Sequence, residues 1–342
     1  MMVLLFQFYK MITLKFKPLF YFLGLLALWP HPLQSDQTKD RTPKPNPLPK
    51  VHLLLNWKFE PQFGGFVTIV TQNLDKKHGF QLEITPGGSG TPTIQLLTEQ
   101  KVDFGIVSGD EMILAQVRQP RALKALWATF QENPQIIMMK KDSAIRTLKD
   151  LFANERYTLT WQGGLPYATF LKKKYQSVFK IKTRPYLGGL SVFLNEPFIA
   201  TQGFETSEPF LVPKGINVTI FPVREEGFNP YLTVLATHTE LTRTKPDLIR
   251  QVINATKEGW QHYLKDPEAA HQYMLKKNPL LTKDFLSQSA TSQKSLIIPK
   301  DPNIPLGHMD PNRWIQLIRT MKEAGVIPTS TNITPADIMF SE

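Results

Sequence analysis

Residues 51–74 read VHLLLNWKFEPQFGGFVTIVTQNL, a β-rich run that leads directly into a helical pattern. The strand-like part ends at Trp57, and apolar residues then recur at helical spacing as far as Leu74. Gly79 follows at a position where glycine commonly ends a helix, so one helix is predicted over 64–78. A strand followed by a helix is the repeating unit of α/β proteins with parallel sheets.

The same alternation continues through the chain. Further strand-like runs are predicted at residues 81–85, 102–107, 122–130, 135–139, 157–161, 180–186, 218–223 and 231–237. Helices are predicted between them at 91–100, at 111–118 with Asp110 as N-cap, and at 167–175. Amphipathic helices dominate the remainder, with apolar stripes at 248–264 and 314–321. The pattern predicts a two-lobed α/β fold of mostly parallel sheets flanked by helices, with a helical C-terminal region.

The composition excludes several classes of function. The chain has 342 residues, of which 42% are hydrophobic, enough for two α/β lobes with real cores. It contains no cysteine, which excludes disulfides, thiolate metal sites, thiol nucleophiles and the cysteine that bacterial lipoproteins acylate. The net charge of +11 suggests nucleic acid, but the basic residues are scattered apart from Lys172–Lys174, and no nucleic-acid-binding motif accompanies them. Nucleic acid is therefore not a predicted partner.

The N-terminus has the pattern of an export signal. Lysines precede an apolar run over residues 19–29, in the order typical of signal peptides. We predict a signal peptide over residues 1–35 that is cleaved after Ser35, with an uncleaved anchor as the alternative. Residues 36–50, which include QTKDRTPKPNPLPK, are predicted to be a Pro-rich linker. The exported protein is predicted to be periplasmic.

Candidate ligand-binding residues follow the predicted strands, because ligands of doubly wound sheets bind beyond the carboxyl ends of the strands. Aromatic and polar side chains occur together at these ends: Asn56, Trp57, Phe59, Gln62, Trp161, Gln162, Tyr186 and Glu208. This mixture suits a small polar organic ligand in a preformed cleft. Core packing is the alternative role for Trp57, and a structural buried carboxylate is the alternative for Glu208.

Two glycine-rich turns lead into predicted helix starts, at residues 87–91 and 163–166. Free backbone N–H groups at a helix start favour a carboxylate, sulfonate or phosphate group. Neither turn has the Gly-Lys-Ser/Thr ending of a P-loop or a complete G-x-G-x-x-G motif. A tight turn without a ligand is the alternative for each.

No catalytic or metal-binding constellation is recognisable. The seven histidines are dispersed without H-E-x-x-H or paired spacing, and the G-x-S-x-G motif is absent. Glu205 and Glu208 are predicted to lie on one strand and to face opposite sides of it. The sequence therefore predicts no catalytic residue, no metal site and no cofactor.

Five segments resemble, in order, a known family: LLLNWKFEPQFGGF, ITPGGSGTPTIQLL, VDFGIVSGDE, TWQGGLPYATFL and TSEP. Over residues 51–327 the chain resembles periplasmic solute-binding proteins of the nitrate/sulfonate/taurine and thiamine-pyrimidine type, which include a eukaryotic thiamine-pyrimidine synthase. The resemblance implies a hinge-bending receptor of the type II periplasmic-binding-protein fold. Such a receptor passes a small-molecule ligand, here first expected to be a thiamine pyrimidine precursor, to an ABC permease in the inner membrane.

In the loop after the first strand, one position matches the thiamine-pyrimidine branch and another departs from it. That branch typically has an acid or similar polar residue before the Trp, where this chain has Asn56. It also has a histidine a few residues later, where this chain has Gln62 and Phe63. The synthase members use that histidine and a cysteine-rich motif, and this chain has neither. The resemblance thus favours a binding protein over an enzyme. Binding of an organosulfonate or taurine-type anion, a synthase-like enzyme, and a sensor that has lost its ligand are the alternatives.

The strand ends and the resemblance together suggest a ligand site. The expected ligand-binding residues are Asn56, Trp57, Phe59, Gln62, Gly88, Ser89, Gly90, Thr91, Ser108, Asp110, Gln131, Trp161, Gly163, Gly164, Tyr186, Gly188, Glu208 and Asn229. Residues 51–132 and 226–342 are expected to form lobe 1 with the C-terminal helices packed on it, and residues 133–225 to form lobe 2. Crossovers are expected near 131–134 and 223–229. Closure of Trp161 and Glu208 over the ligand is expected, in a protein that acts as a monomer.

Overall fold

The computed structural model describes Pro47–Ser341. The predicted signal peptide and nearly all of the predicted linker lie outside these residues. None of the helices in this range combines the length and the apolar character that crossing a bilayer requires. The range forms two lobes, each built on a five-stranded sheet, which confirms the predicted two-lobed α/β fold.

Ten strands in the described range are divided equally between the two sheets. They are β1 (Lys50–Leu54), β2 (Gln81–Thr85), β3 (Phe104–Val107), β4 (Leu123–Phe130), β5 (Gln135–Lys140), β6 (Thr158–Trp161), β7 (Lys182–Pro185), β8 (Ile199–Phe204), β9 (Val218–Pro222) and β10 (Leu232–His238). The first lobe contains the sheet β2-β1-β3-β10-β4, and the second lobe contains β7-β6-β8-β5-β9. The sheets are mixed, because β10 is antiparallel to β3 and β4, and β5 is antiparallel to β8 and β9.

Two short connections join the lobes. Residues 131–134 lead from β4 in the first sheet to β5 in the second, and residues 223–231 lead back from β9 to β10. The strands that arrive through these connections, β5 and β10, are the antiparallel ones. Two adjacent connections of this kind allow the lobes to rotate relative to one another as a hinge.

Hydrogen bonds between the two connections and from Arg313 of the C-terminal region hold the hinge together. The backbone N–H of Asn133 donates to Asn229 Oδ1 at 2.8 Å, and the Arg313 guanidinium donates to the Asn229 carbonyl at 3.0 Å. The same guanidinium donates to the Gln131 carbonyl and lies 4.0 Å from the centroid of the Tyr231 ring. Gln131 and Asn229, both expected to bind ligand, are therefore hinge residues in this structure.

Helices cover the faces of both sheets. Those in the described range are α1 (Gly64–Thr71), α2 (Leu74–Lys77), α3 (Thr93–Thr98), α4 (Gly109–Arg118), α5 (Leu148–Phe152), α6 (Pro166–Lys174), α7 (Ser191–Asn195), α8 (Thr239–Thr244), α9 (Pro246–Lys265), α10 (Glu268–Lys277), α11 (Lys283–Ser292), α12 (Lys294–Ile297), α13 (Pro311–Glu323) and α14 (Pro335–Ile338). Short 3-10 helices occupy Pro61–Phe63, Glu208–Leu211 and Val223–Glu226. The C-terminal helices contact the first lobe: α9 and α10 lie against α1, and α13 and α14 lie against α4.

Two helix boundaries differ from the predictions. The helix predicted over 64–78 is divided into α1 and α2, because Asn73 adopts a left-handed conformation with φ 54°. The N-cap of α4 is Ser108 rather than Asp110, since the Ser108 side chain accepts from the Glu111 N–H and the Glu111 carboxylate accepts from the Ser108 N–H at 3.0 Å. Asp110 consequently lies in the first turn of α4, where it lines the cleft between the lobes.

Close packing behind β1 fixes the loop that follows it. A Cβ atom at Gly64 would lie 2.1 Å from the Tyr263 ring, and one at Gly65 would lie 2.3 Å from the Trp260 ring. Only glycine allows α9 to approach α1 this closely. The loop after β1 therefore enters α1 at a fixed position, and this loop carries the first group of cleft residues.

Candidate functional site

A cavity of about 260 Å³ lies between the lobes. The first lobe lines it with Asn56, Trp57, Glu60, Gln62, Gly88, Gly90, Thr91, Ser108, Asp110, Glu111, Leu232 and Thr233. The second lobe lines it with Gln135, Ile136, Gln162, Leu165, Tyr167, Tyr186, Gln202, Gly203, Phe204, Ser207 and Glu208. Most of these residues follow the carboxyl ends of strands in the two sheets, which is where ligand sites of such folds are expected.

Ten of the residues expected to bind ligand are brought together in this cavity. They are Asn56, Trp57, Gln62, Gly88, Gly90, Thr91, Ser108, Asp110, Tyr186 and Glu208. Tyr186 and Glu208 come from the second lobe and the others from the first. The cavity is thus assembled by both lobes, and its shape depends on how far they close.

Two of the expected aromatic residues are core residues instead. Phe59 is 2% exposed and packs edge-on against Tyr273, with ring centroids 5.6 Å apart. Trp161 is 2% exposed and stacks on Phe179 at 6.2 Å within the second lobe. Trp161 ends β6 on the face that packs into the lobe, and its neighbour Gln162 lines the cavity, because successive residues of a strand point to opposite sides. Trp161 therefore does not line this cavity, contrary to the expectation.

Four expected glycine and serine residues also lie outside the cavity. Gly163 and Gly164 line a separate surface pocket of the second lobe, and Ser89 is exposed. Gly188 has φ 87° at the rim, where a Cβ atom would lie 3.7 Å from the Trp57 ring. Gly188 therefore lies close to the Trp57 ring without lining the cavity.

In each of the two glycine-rich turns, backbone N–H groups donate hydrogen bonds to acceptors of the same turn. In the first turn, the Gly88 N–H donates to Thr91 Oγ1 at 2.8 Å, and the Thr91 N–H donates to the Gly88 carbonyl at 3.1 Å. In the second turn, the Leu165 N–H donates to the Gln162 carbonyl at 3.0 Å. These contacts leave fewer N–H groups for an anion than the two turns suggest in the sequence.

Gln162, which is predicted at a strand end but is not in the expected set, lines the cavity. Other cavity residues absent from that set are Glu60, Glu111, Gln135, Ile136, Leu165, Tyr167, Gln202, Gly203, Phe204, Ser207, Leu232 and Thr233. Glu60 has the most consequence for function, and its only sequence signal is its place three residues after Trp57 in the same loop. Gln202 and its neighbours belong to β8, a strand that the alternating pattern does not predict.

Glu60 joins the two lobes. Its carboxylate accepts hydrogen bonds from Trp57 Nε1 at 3.2 Å and from Ser207 Oγ of the second lobe at 3.1 Å. Desolvation in the cleft and, second, the charge of Glu208 raise the pKa of Glu60 to about 8. Glu60 therefore holds a proton at neutral pH in the empty cavity.

Glu208 faces the cavity from the second lobe, at the start of a short 3-10 helix. Its carboxylate accepts from the Phe204 N–H at 2.6 Å and from the Tyr186 hydroxyl at 3.4 Å, and desolvation raises its pKa. Glu205 lies beyond the end of β8 and forms an ion pair with Arg224. The prediction that Glu205 and Glu208 share a strand is therefore wrong, because β8 ends before either residue.

Asp110 is the most deeply buried acid of the cavity, with 3% of the residue exposed. Its Oδ1 atom has no hydrogen-bond partner among the described residues. Desolvation and, second, the charge of Glu111 raise the pKa of Asp110 to about 7. Hydrogen bonds from the Ser108 side chain and from the N–H groups of Asp110 and Glu111 offset part of this desolvation. A ligand N–H group at Oδ1 would offset more of it.

Hydrogen bonds and backbone strain fix other parts of the wall. Gln202 Oε1 accepts from the Tyr167 hydroxyl at 2.6 Å, and Gln202 Nε2 donates to Gln162 Oε1 at 2.9 Å, so both amides are held in one orientation. Thr233 lines the opposite side with φ 52°, a conformation that is uncommon for a β-branched residue. Such strain, of order 1–3 kcal/mol per residue, concentrates at functional sites.

The charged residues that line the cavity are all acidic. They are Glu60, Asp110, Glu111 and Glu208, and no Lys, Arg or His from Pro47–Ser341 joins them. Within the same range, no three His, Asp or Glu side chains are grouped to hold a metal ion. The cavity can therefore accept hydrogen bonds and positive charge from an organic ligand, and it disfavours an anion.

A two-lobed α/β fold with a hinge and a polar cavity between the lobes defines the class of periplasmic binding proteins by fold. The model of the NMT1/THI5-like family matches residues 60–270, and the chain belongs to this family. A comparison with curated proteins gives no match.

Several solved structures are similar to this chain. The periplasmic aliphatic sulphonate binding protein SsuA from Escherichia coli is 13% identical, with a TM-score of 0.60, over 85% of this chain and 92% of its own. A zinc-bound ligand-binding component of an ABC-type import system from Staphylococcus aureus is 12% identical, with a TM-score of 0.63, over 85% and 96%. A Candida albicans gene product with the generic periplasmic binding protein fold is 17% identical, with a TM-score of 0.58, over 84% and 92%. At these identities the similarity establishes the fold and leaves the ligand to be argued from the cavity.

Proposed function

We propose that the chain is the substrate-binding component of an ABC-type importer and that its cavity captures a small organic solute with N–H donors. A thiamine pyrimidine precursor is the first candidate. Membership of the NMT1/THI5-like family and the hinged two-lobed fold support the receptor role. The observation that carries the ligand class is the charge of the cavity, which four carboxyl groups line without a basic side chain from the described residues.

An aminopyrimidine matches these groups by its chemistry. Its amino group donates hydrogen bonds and its ring nitrogen can take up a proton, so both can pair with carboxyl groups. Asp110 Oδ1, which has no partner among the described residues, supports this assignment as an available acceptor. Trp57 and Tyr186 supply aromatic faces on opposite lobes, and each aromatic contact with a ring contributes about 0.5–1.5 kcal/mol beyond the area that it buries.

An organosulfonate or taurine-type anion is the alternative that the fold alone would allow. A sulfonate in this cavity would find no basic side chain of the described residues to pair with, and the carboxyl groups that are ionised would repel it in a low dielectric. The N–H groups of Gly88 and Leu165 are already used within their turns. Both observations favour the pyrimidine over the anion.

A synthase-like enzyme is the second alternative. The enzyme members that the sequence resembles use a histidine and a cysteine-rich motif. This chain has no cysteine, and no histidine of the described range lines the cavity. We therefore propose binding without turnover by a monomeric receptor, exported to the periplasm by its N-terminal signal and docking to a permease of the inner membrane.

A thermal-shift panel tests the proposal. The full chain is heated with 4-amino-5-hydroxymethyl-2-methylpyrimidine, thiamine, taurine, an alkanesulfonate or nitrate. A ligand at about a hundred times its dissociation constant stabilises the folded protein by about 2.7 kcal/mol, which is a clear shift of the melting temperature. We expect the pyrimidine to stabilise the protein, and a response to the anions alone would refute the assignment.

A matched pair of variants separates the site from general stability. Asp110→Asn should abolish the response to the pyrimidine, because the amide cannot offer a carboxylate to the ligand. Asp75 is an equally buried acid outside the cavity; its Oδ2 accepts from the Leu82 N–H at 2.9 Å, and its Oδ1, like that of Asp110, has no partner among the described residues. Asp75→Asn should therefore leave the response in place.

A further inference from the structure

We infer that Glu60 and Glu208, which line one cavity from opposite lobes, form a proton-dependent clamp. One proton on this pair of carboxyl groups lets the empty lobes close, and an amidine-type nitrogen of the ligand takes up that proton on binding. The inference rests on the proposed function in treating the cavity as the ligand site. It assigns a ligand-specifying role to Glu60, to which no sequence pattern points.

Contacts between the lobes place the two carboxyl groups in the same cavity. Ser207, the residue before Glu208, donates from its Oγ to Glu60 Oε2 at 3.1 Å. Phe204 and Phe210, on either side of Glu208, pack against the hydrophobic core of the first lobe. Closing the lobes therefore places Glu208 near Glu60, and opening them separates the pair.

The other titratable groups inside the cavity cannot neutralise the pair. The Tyr186 hydroxyl is 3.4 Å from Glu208 Oε1 and is uncharged, because burial and, second, the charge of Glu208 raise its pKa above the ordinary value. Asp110 and Glu111 line the cavity with charges of the same sign as the pair. If both carboxyl groups of the clamp were ionised, they would repel one another without a counter-charge in the cavity.

The charged groups outside the cavity give little compensation. Lys58 is exposed and is the weakest of the influences on the pKa of Glu60. On α11, which packs against the short helix that begins at Glu208, Lys283 and Asp284 are exposed and opposite in sign. Water screens such groups, so they do not replace a proton inside the cleft.

One proton removes the repulsion. Burial and the charge of Glu208 raise the pKa of Glu60 to about 8, so the closed empty pair holds one proton at neutral pH and loses it at higher pH. On ligand binding, the O–H bond of the protonated carboxyl group breaks and an N–H bond to the ring nitrogen forms. A carboxylate then faces a ligand cation, and no net proton is exchanged with solvent. Above the pKa of the pair, binding takes up about one proton from solvent.

Small-angle X-ray scattering of the full chain without ligand tests the clamp. We expect the radius of gyration to increase between about pH 6 and about pH 9.5 in the wild type, because ionisation of the pair opens the lobes. The double variant Glu60→Gln/Glu208→Gln should keep one radius, since its amides do not ionise. Asp110→Asn, which removes an acid but leaves the pair, should still expand. Equal radii in the wild type, or expansion of the double variant, would overturn the inference.

A second measurement applies if the double variant does not fold, which circular dichroism would reveal. Trp57 Nε1 donates to Glu60 Oε1 at 3.2 Å, so ionisation of Glu60 changes the surroundings of this indole. The difference in emission between the wild type and Trp57→Phe isolates its signal. A transition near pH 8 in this difference supports the clamp, and a flat difference contradicts it.

Calorimetry with 4-amino-5-hydroxymethyl-2-methylpyrimidine in buffers of different ionisation enthalpy counts the protons. We expect uptake of about one proton above the pKa of the pair and none near neutral pH, with affinity falling about tenfold per pH unit above that pKa. If the lobes open as the pH rises but the pyrimidine does not bind, the result supports the clamp and refutes only the proposed ligand. Pyrimidine binding in a protein that does not open with pH refutes the clamp and leaves the proposed function in place.

Discussion

Replacement of Asp110 by Asn should stabilise the empty protein at neutral and alkaline pH while it weakens ligand binding. Asp110 is 3% exposed, and its Oδ1 atom has no hydrogen-bond partner among the described residues. Desolvation, with a smaller contribution from the charge of Glu111, raises the pKa of Asp110 from its ordinary value of 3.8 to about 7. An amide of the same shape carries no charge, so the variant avoids the cost of ionising this group in the cleft.

The pKa values set the size and direction of the effect. Because the folded-state pKa is raised, the folded protein binds the Asp110 proton more tightly than the unfolded chain does. The corresponding stability is present below about pH 4 and is lost as the pH rises through about 7. Across that window the free energy of unfolding falls by about 1.4 kcal/mol per pH unit, or about 4 kcal/mol in total.

Urea unfolding of the full chain, followed by circular dichroism at several pH values, measures this slope. Between about pH 5 and about pH 8, the wild type should lose about 3 kcal/mol more of its unfolding free energy than Asp110→Asn does. The same change at Asp75, whose carboxylate is hydrogen-bonded to the Leu82 N–H, should destabilise the protein instead. If Asp110→Asn has the pH slope of the wild type, or is less stable than the wild type at about pH 8, the reasoning about this carboxylate is wrong.

Three further substitutions, one of them with a matched control variant, have defined outcomes. Trp57→Ala should weaken binding of the pyrimidine about tenfold in calorimetry, because it removes an aromatic face of the cavity; an unchanged affinity would exclude stacking on this residue. Gly203→Ala places a Cβ atom 2.8 Å from Glu208 Cγ and should displace that carboxyl group and reduce affinity. Gly164→Ala, with nothing within 4 Å of its Cβ atom, should leave the affinity unchanged in the same titration. Arg313→Met removes the hydrogen bonds to the hinge carbonyls and should lower the unfolding free energy by about 2–3 kcal/mol; urea unfolding that shows no loss would contradict the role of this guanidinium.

The elements of the fold were predictable where apolar spacing records which residues face the core. The run at residues 81–85 coincides with β2, and the run at 122–130 differs from β4 by one residue. The predicted helix over 64–78 fails at Asn73, because a left-handed residue leaves no trace in the spacing of apolar side chains. The spacing of apolar residues indicates which side chains are buried. It does not show a local change of backbone conformation, which only the structure reveals.

The site was predictable in location and less so in its members. Strand ends identify Trp57 correctly as a cavity residue, but Phe59, two positions later, packs into the core. At the end of β6, the aromatic Trp161 is core and the amide Gln162 lines the cavity, so the choice depends on which side of the strand each residue occupies. Glu60 could not be assigned from its own segment, because the hydrogen bond that joins it to the second lobe comes from a residue far along the chain.

The charge of the whole chain and the charge of the cavity point to different ligands, and the cavity is the better guide. A net charge of +11 attracts anions to the surface, but salt screens that field within about 10 Å. The carboxyl groups of Glu60, Asp110 and Glu208 act on a bound ligand at contact distance and in a lower dielectric, where each interaction is several times stronger than in water. A ligand is therefore selected by the few groups that replace its hydration shell. For the same reason, a fold shared with a sulphonate-binding protein does not make this chain a receptor for sulfonates.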